Sequence, residues 1–220
     1  MKSLLGLCPK REDDSFGRYE RARLIGKGGM GEVWKVLDPD LNRTLAMKIL
    51  NSKYLADSQD RQNFITEAQI SAQLQHPGII PVYELGTLPD ESLYFTMQEI
   101  KGRTLKQVMK TVHKASSDGV WRPAKDGWNF RRLISAFQTI CETIAYVHSK
   151  GILHRDIKPS NVMIGDYGEV LVVDWGIAKV MQMESSSDDD EPVVVTNRSR
   201  SGKAEEPGLV LGTPAYMSPE

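Results

Sequence analysis

Alternating apolar and polar positions dominate the first part of the chain. Residues 19–28 alternate and run into glycines, residues 31–38 resume the alternation, and residues 43–50 follow a turn that contains Pro39. A period of two predicts half-buried strands, and glycine and proline mark the turns between them. We therefore predict three antiparallel strands over residues 19–50 and two further strands over residues 81–86 and 92–97.

Helical spacing of apolar residues follows in three places. Residues 57–75 and 103–114 predict two helices, and residues 115–127 form a long loop. Asn129 is the predicted N-cap of a third, longer helix, and Gly151 is its predicted end. Its apolar stripe comprises Phe130, Leu133, Ile134, Phe137, Ile140, Cys141, Ile144 and Val147. Cys141 is accordingly expected in the core.

Composition places the chain among ordinary globular proteins. It has 220 residues, of which 40% are hydrophobic and 26% charged, and the net charge of −1 gives no reason to expect nucleic acid as a partner. No apolar run is long enough to span a membrane, and the apolar residues 4–8 are too few for a signal peptide. Cys8 and Cys141 are the only cysteines, which favours a reduced, cytoplasmic protein.

Candidate chemistry is concentrated in residues 154–161, HRDIKPSN, and 172–176, VVDWG. Asp156, Asn161 and Asp174 lie on either side of a short apolar hairpin, which would direct all three into one cleft. Carboxylate and amide oxygens suit hard cations, so Asn161 and Asp174 are candidate Mg²⁺ ligands. Asp156 would stay free of metal to orient a hydroxyl and accept its proton, and Lys158 would face a phosphoryl group. The alternative is that Asp156 and Asn161 only cap turns around Pro159.

A glycine-rich turn joins the first two predicted strands. Residues 26–31 read GKGGMG, and glycines there let main-chain N–H groups approach phosphates closely. A dinucleotide-binding fold would place a helix after the glycines, whereas the residues after Gly31 predict a strand. Lys48 lies further on, between apolar neighbours, which favours a lysine in a buried strand that needs a partner over one that faces water.

These motifs, in this order over residues 18–220, resemble eukaryotic-like (Hanks-type) serine/threonine protein kinases of the bacterial type. The interval between Asp156 and Asp174 is the usual one, and Lys158 resembles the serine/threonine rather than the tyrosine kinases. The resemblance implies an α+β, bilobal protein-kinase-like fold with a small antiparallel-sheet lobe and a mainly helical lobe. We expect an N-terminal extension at residues 1–17, an N-lobe at 18–97 and a partial C-lobe at 98–220.

The resemblance also implies roles for individual residues. Asp156, Lys158, Lys48 and Glu67 would be catalytic, with Glu67 the helix glutamate that pairs with Lys48. Asn161 and Asp174 would bind Mg²⁺, or Mn²⁺, and Thr213 would lie in the substrate-facing loop and hydrogen-bond to Asp156 and Lys158. The ATP-binding residues would be Ile25, Gly26, Lys27, Gly28, Gly29, Gly31, Val33, Ala46, Lys48, Met97, Glu99 and Ile100.

The last stretch corresponds to the kinase activation segment, residues 174–220. Residues 181–207 are rich in Ser, Asp and Glu and predict a disordered insert. Thr196, Ser199 or Ser201 is a candidate phosphorylation site whose phosphate would dock on Arg155. Trp175 stands where the family usually has Phe. The family continues into further helices after the position of Glu220, and without them we expect exposed apolar surface on the long helix.

Two functions from different classes remain at this stage. The first is an ATP-dependent kinase that acts on Ser and Thr of protein substrates and of its own chain, with a homodimer through the small lobes as a further arrangement that the resemblance allows. The second is a truncated, nucleotide-binding pseudokinase or interaction module without catalysis. The intact Lys48, Asp156 and Asp174 favour the enzyme.

Overall fold

The computed structural model describes residues 15–116, 119–181, 194–196 and 212–217. The chain divides into two compact units, one of Met1–Ser58 with Tyr83–Glu99 and one of Gln59–Val82 with Ile100–Glu220. The lobe boundary expected between residues 97 and 98 stays a prediction. Ser199, Ser201, Glu220, Cys8 and most of the predicted insert lie outside the described residues.

The first unit is a six-stranded sheet in the order β1-β2-β3-β4-β6-β5. Its strands are β1 (Ser15–Phe16), β2 (Tyr19–Lys27), β3 (Gly31–Asp38), β4 (Arg43–Leu50), β5 (Val82–Thr87) and β6 (Leu93–Gln98). The three strands predicted over residues 19–50 are confirmed, and they pair antiparallel. The two later strands are also confirmed, each shifted by one residue at both ends.

One face of this sheet forms the core of the first unit. The core residues are Tyr19, Val36, Leu45, Met47, Leu88 and Tyr94. Burial of two tyrosines there requires partners for their hydroxyl groups, and Glu84 supplies them: both tyrosine hydroxyls donate to its carboxylate, and so does Arg18. Partial burial opposes ionisation of Glu84, but these three hydrogen bonds outweigh it and hold its pKa below the usual range.

In its described residues, the second unit contains three α-helices and two small sheets. The helices are α1 (Ser58–Gln73), α2 (Leu105–Ala115) and α3 (Phe130–Ser149). One sheet has the order β10-β9-β7 and the other pairs β11 with β8. These strands are β7 (Gly102–Thr104), β8 (Ile152–Leu153), β9 (Val162–Gly165), β10 (Val170–Val172) and β11 (Lys179–Val180).

The predicted helices are confirmed, and so are two of their end signals. The Asn129 side chain accepts a hydrogen bond from the Arg132 amide and caps α3. Gly151 follows the end of α3 with φ +72°, a left-handed conformation that glycine adopts without strain. The chain after α1 is tied to the second unit because the Val172 amide donates to the Gly78 carbonyl, at 2.8 Å.

Cys141 is exposed, so its predicted core position is wrong. The described residues cover only one side of α3, and its buried residues are Ala136, Ile140, Thr143 and Val147. The apolar stripe read from the sequence is wider than this side, and Phe130, Ile134 and Phe137 are exposed as well. Exposed apolar surface on the long helix was expected and is confirmed. Among the described residues, no helix combines the length and the apolar character that crossing a bilayer requires.

The glycine-rich turn supplies a matched pair of substitutions. A Cβ atom on Gly31 would collide with the main-chain oxygen of Ile49 in the neighbouring strand, whereas one on Gly29 would meet nothing within 4 Å. We expect Gly31→Ala to lower the free energy of unfolding by about 1–3 kcal/mol, the usual cost of overpacking, and Gly29→Ala to leave it nearly unchanged. Urea unfolding of both variants measures the difference, and equal stabilities would contradict the close approach of β3 to β4 at Gly31.

Candidate active site

The hairpin of β9 and β10 brings the candidate residues of the second unit together. Val162 pairs with Val172, so Asn161 and Val173 lie next to each other at the open end of the hairpin. The Val173 amide donates to the main-chain oxygen of Asn161 at 2.9 Å. As a result, the loop that ends at Asn161 and the motif that contains Asp174 are neighbours, as the sequence predicted for a short hairpin.

Asp156 is the centre of a hydrogen-bonded cluster. Its carboxylate accepts from Lys158 Nζ at 2.6 Å, from Asn161 Nδ2 at 3.0 Å and from the Thr213 hydroxyl at 2.6 Å. Lys158 Nζ also donates to Thr213 Oγ1 at 2.8 Å. Partial burial works against ionisation of Asp156, but the bonds from Lys158 and Thr213, with that from Asn161, lower its pKa. Asp156 is therefore a carboxylate at neutral pH, held in one orientation.

His154 supports this cluster from inside the unit. It is buried, and the centroid of its ring lies 4.5 Å from the ring centroid of Trp175. Its Nδ1 accepts a hydrogen bond from the Asp156 amide. The proton of the neutral ring is therefore on Nε2, which donates to the Val173 carbonyl at 3.1 Å. Burial lowers the pKa of His154. A neutral histidine with both ring nitrogens engaged has a supporting role rather than that of a general base.

The residues proposed to bind metal provide oxygen donors. The Asn161 amide nitrogen is committed to Asp156, donating to both its main-chain and its side-chain oxygen, so the carbonyl end of the amide is the one turned away. Asp174 is exposed and has φ +70°, a left-handed conformation that Asp tolerates better than most residues. An amide and a carboxylate suit Mg²⁺, which usually takes few protein ligands and completes its shell with phosphate oxygens and water. In the described part of the chain, no cluster of three or more His, Cys, Asp or Glu forms a complete metal cage.

Glu67 lies beside the same motif. It is buried in the middle of α1, and a Cβ atom placed on Gly176 would be 3.6 Å from Glu67 Oε2 and 3.5 Å from Asp174 Oδ1. The carboxylates of Glu67 and Asp174 therefore both lie close to Gly176. Trp175, the departure from the usual Phe, is accommodated in the apolar core of the second unit.

In the first unit, the sheet register collects the residues predicted to bind nucleotide. Val33 pairs with Lys48, and Ala46 pairs with Met97. Directly paired residues share a face, as do residues two apart on one strand. Val33, Ala46, Lys48 and Met97 therefore lie on one face, opposite to the core face that carries Met47. Lys48 Nζ lies 5.7 Å from the ring centroid of Phe95 on the adjacent strand.

A main-chain hydrogen bond closes the glycine-rich turn. The Gly28 amide donates to the Gly31 carbonyl at 2.8 Å, while Gly26 and Gly29 have open space where a Cβ atom would be. Lys27 forms an ion pair with Glu32 at 2.7 Å across the turn, and the hydrogen bond from Lys27 lowers the Glu32 pKa. Ile25, also predicted to contact nucleotide, is exposed at the end of β2.

Sequence reasoning missed the partner of Glu99. Lys35 Nζ contacts both oxygens of this carboxylate, at 2.7 and 2.8 Å, and the Thr44 hydroxyl donates to it as well. The Glu99 side chain is thus used internally, and its main chain and that of Ile100 remain the groups proposed to meet adenine. The alternation of β3 does place Lys35 on the Val33 face, but nothing in the sequence identifies a partner so far along the chain.

Thr196, one of the three candidate phosphorylation sites, is buried in the structure. This differs from the open position expected of a residue in a disordered insert. Arg155, the predicted phosphate dock, donates from Nε to the Ile177 carbonyl at 3.0 Å. The predicted docking of a phosphate on Arg155 therefore stays a prediction.

Comparison with known proteins gives consistent matches. Residues 19–220 match the family described as Protein kinase domain. The chain is 39% identical over 207 residues to serine/threonine-protein kinase PknD of Chlamydia trachomatis serovar D, covering 92% of this chain and 22% of that protein. It is 40% identical over 204 residues to PknD of Protochlamydia amoebophila, with 92% and 20% covered. The chain thus spans about a fifth of the length of these relatives.

Solved structures agree with the sequence comparison. The kinase domain of PknI from Mycobacterium tuberculosis superimposes with a TM-score of 0.57 at 29% identity, covering 74% of this chain and 60% of that one. A second structure of the same domain gives a TM-score of 0.55 at 28% identity, with 75% and 62% covered.

The lowered pKa of His154 predicts a pH dependence of stability. An unfolded histidine has a pKa of about 6.5, so below this pH the unfolded chain binds a proton that the folded chain excludes. The free energy of unfolding therefore falls as pH drops through this range. Between about pH 7 and 5.5, we expect the free energy of unfolding of His154→Phe to change less with pH than that of wild type. Urea unfolding at several pH values measures both.

The control is His148→Phe, because His148 is an exposed histidine on α3. This variant measures the effect of a histidine-to-phenylalanine change away from the candidate site. Equal slopes for wild type and His154→Phe would show that His154 is not held neutral by burial.

Proposed function

The chain belongs to the protein kinase domain family, and we propose that it transfers the γ-phosphoryl group of ATP to serine and threonine hydroxyls of proteins, including its own. The observation that carries this proposal is the Asp156 cluster. Asp156 is ionised, half-buried and fixed by Lys158, Asn161 and Thr213. A carboxylate fixed in this way can orient an incoming hydroxyl and accept its proton.

Each neighbour of Asp156 has a proposed part in the reaction. Lys158 keeps an ammonium next to the site of transfer, where it offsets negative charge on the phosphoryl group. Thr213 bridges Asp156 and Lys158 and keeps them at a fixed separation. Asn161 orients Asp156 through its amide nitrogen and has its oxygen left for a metal ion.

The remaining roles extend to both units. Asn161 and Asp174 would hold Mg²⁺, or Mn²⁺ in its place, and the ion when bound would neutralise the phosphates. Lys48, with Glu67 as its partner, would bind the α- and β-phosphates. The face of the sheet with Val33, Ala46 and Met97 is apolar enough to accept the adenine ring, and residues 26–31 would cover the phosphates. The partition into an N-lobe, 18–97, and a C-lobe, 98–220, belongs to this proposal.

Protein substrates follow from the proposed reaction, and the relatives named as serine/threonine kinases support serine and threonine as acceptors. We propose no nucleic acid partner, because the net charge of −1 gives no electrostatic attraction to one. A homodimer through the first unit and a cytoplasmic location, where ATP and reduced cysteines are found together, are further parts of the proposal.

Asp156→Asn tests the central role. The amide keeps the shape but cannot accept the proton, so we expect autophosphorylation to fall by a factor of at least about 100, with binding of Mg-ATP retained. Intact-mass spectrometry after incubation with Mg-ATP counts the phosphates, and calorimetry measures nucleotide binding. Asp166→Asn, in the exposed turn between β9 and β10, is the charge-matched control.

Two outcomes would remove the proposal. If Asp156→Asn transfers phosphate at the wild-type rate, Asp156 does not have the role given to it. If wild type binds nucleotide but gains no phosphate and modifies no protein substrate, the chain acts as a nucleotide-binding module.

Thr213 provides an independent test. Thr213→Val keeps the shape but removes both the hydrogen bond to Asp156 and the one from Lys158, whereas Thr213→Ser keeps the hydroxyl. Hydrogen bonds to charged groups contribute about 1.5–3 kcal/mol, so we expect phosphoryl transfer to fall about 10- to 100-fold in Thr213→Val and less in Thr213→Ser. Steady-state rates with a serine peptide measure this, and equal rates in the two variants would contradict the role of the hydroxyl.

A further inference from the structure

Three hydrogen bonds within the first unit fix the carboxylate of Glu99. Lys35 Nζ donates to both of its oxygens, at 2.7 and 2.8 Å, and the Thr44 hydroxyl donates to Oε2 at 2.7 Å. The Lys35 side chain is 21% exposed and the Glu99 side chain 6%. Arg23 is the residue opposite Lys35 on β2, and this like charge also favours Glu99 as the partner of Lys35. Because hydrogen bonds to an ionised carboxylate are strong, the Glu99 side chain is held in one orientation.

Sheet register places this ion pair on the face that is proposed to accept adenine. Lys35 pairs with Ala46, and Ala46 pairs with Met97. Thr44 is two residues before Ala46 on the same strand and shares its face. Glu99 is two residues after Met97, and its contacts show that its side chain is on the same face. The ion pair therefore borders the surface formed by Ala46 and Met97, inside the first unit.

Regular strand pairing stops just before Glu99. β6 ends at Gln98, and the last pair of residues between β4 and β6 is Leu45 with Gln98. The main chain of Glu99, which is proposed to meet adenine, therefore lies beyond the paired part of the strand. Its side chain connects this point to the sheet, because Lys35 belongs to β3 and Thr44 to β4.

We propose that Lys35 and Thr44 are positioning residues for the nucleotide. By holding the Glu99 carboxylate, they fix the direction of the Glu99 main chain and keep it ready to hydrogen-bond with the edge of the adenine ring. Binding to a chain that is already oriented loses less conformational entropy than binding to a mobile one. The inference rests on the proposed function, because that function supplies ATP as the ligand.

Two other roles of Lys35 would give different results. A purely structural role would support the free energy of unfolding without any effect on nucleotide affinity. A direct attraction between the Lys35 ammonium group and phosphates would strengthen the binding of ADP but not of adenosine, which carries no charge. ADP and adenosine are therefore the two ligands to measure, and neither requires catalysis.

Removal of the ammonium group is the first test. Lys35→Met keeps the aliphatic stem, and we expect it to weaken binding of ADP, measured by calorimetry, and of adenosine, measured by NMR titration, at least about fivefold. Lys35→Arg keeps the charge and can donate to both carboxylate oxygens, so its affinities should stay within about twofold of wild type. With a serine peptide, Lys35→Met should raise the KM for ATP at least about fivefold and change kcat by less than about twofold.

Exchange of the two charges provides a rescue. Glu99→Lys alone brings two ammonium groups together and Lys35→Glu alone brings two carboxylates together, so each should weaken adenosine binding at least about fivefold. The double variant restores an ion pair, and the Thr44 hydroxyl can accept a hydrogen bond from a lysine at position 99. We expect the double variant to bind adenosine within about threefold of wild type.

Arg43→Met is the matched control. Arg43 precedes Thr44 on β4, so its side chain is on the opposite face, where it pairs with the buried Asp38. We expect this variant to unfold at a lower temperature, because a buried carboxylate loses a partner, but to bind ADP and adenosine within about twofold of wild type. Thermal unfolding of every variant verifies that it is folded.

Equal affinities of wild type and Lys35→Met for adenosine would overturn the inference. A folded double variant that recovers no binding would also overturn it, and so would a loss confined to ADP, which would assign Lys35 to the phosphates. A wild-type chain that binds ADP but transfers no phosphate would overturn the proposed function, while the adenosine affinities would still decide the role of Lys35.

Discussion

The peptide groups of Val173 hold the candidate site together. The amide of this residue donates to the main chain of Asn161, and its carbonyl accepts from Nε2 of His154. The two residues lie at opposite ends of the loop of residues 154–161, so Val173 fixes both ends of this loop against the motif that contains Asp174. Because His154 must be neutral to accept from the Asp156 amide and donate to Val173 at once, its burial is part of the same constraint.

Two of the candidate carboxylates are paired with lysines. Asp156 faces Lys158 in the second unit, and Glu99 faces Lys35 in the first. Both pairs are mostly withdrawn from solvent, where an unpaired charge is costly. The pair of Lys35 and Glu99 also connects β3 to the residue that follows β6, whereas Asp156 and Lys158 belong to one loop. The function of such a pair is therefore orientation as much as stability.

α1 has a different kind of importance. Its buried residues include a charged one, Glu67, beside Gly176, and its last residue, Gln73, contacts Val195. The helix is tied to the second unit by packing of Ile70 and by the chain that follows it to β10.

Local pattern determined most of the secondary structure. Alternation and glycines located the strands over residues 19–50, and helical spacing with the cap at Asn129 located α3. The motifs around Asp156 and Asp174 also fixed which chemical groups meet, because a hairpin as short as β9 and β10 has few ways to fold. These features depend on neighbours in the sequence, which a single sequence displays.

Tertiary structure decided what depends on distant partners. Helical spacing cannot tell which apolar positions are covered, and so it placed Cys141 in the core although no described element packs on that side of α3. Composition predicted residues 181–207 to be polar and disordered, yet Val194 and Thr196 are buried, and Gln73 of α1 hydrogen-bonds to the main chain of Val195 between them. The pairing of Lys35 with Glu99 likewise follows from sheet register. In each case the deciding energy comes from contacts between residues far apart in the chain, and the local sequence contains no record of them.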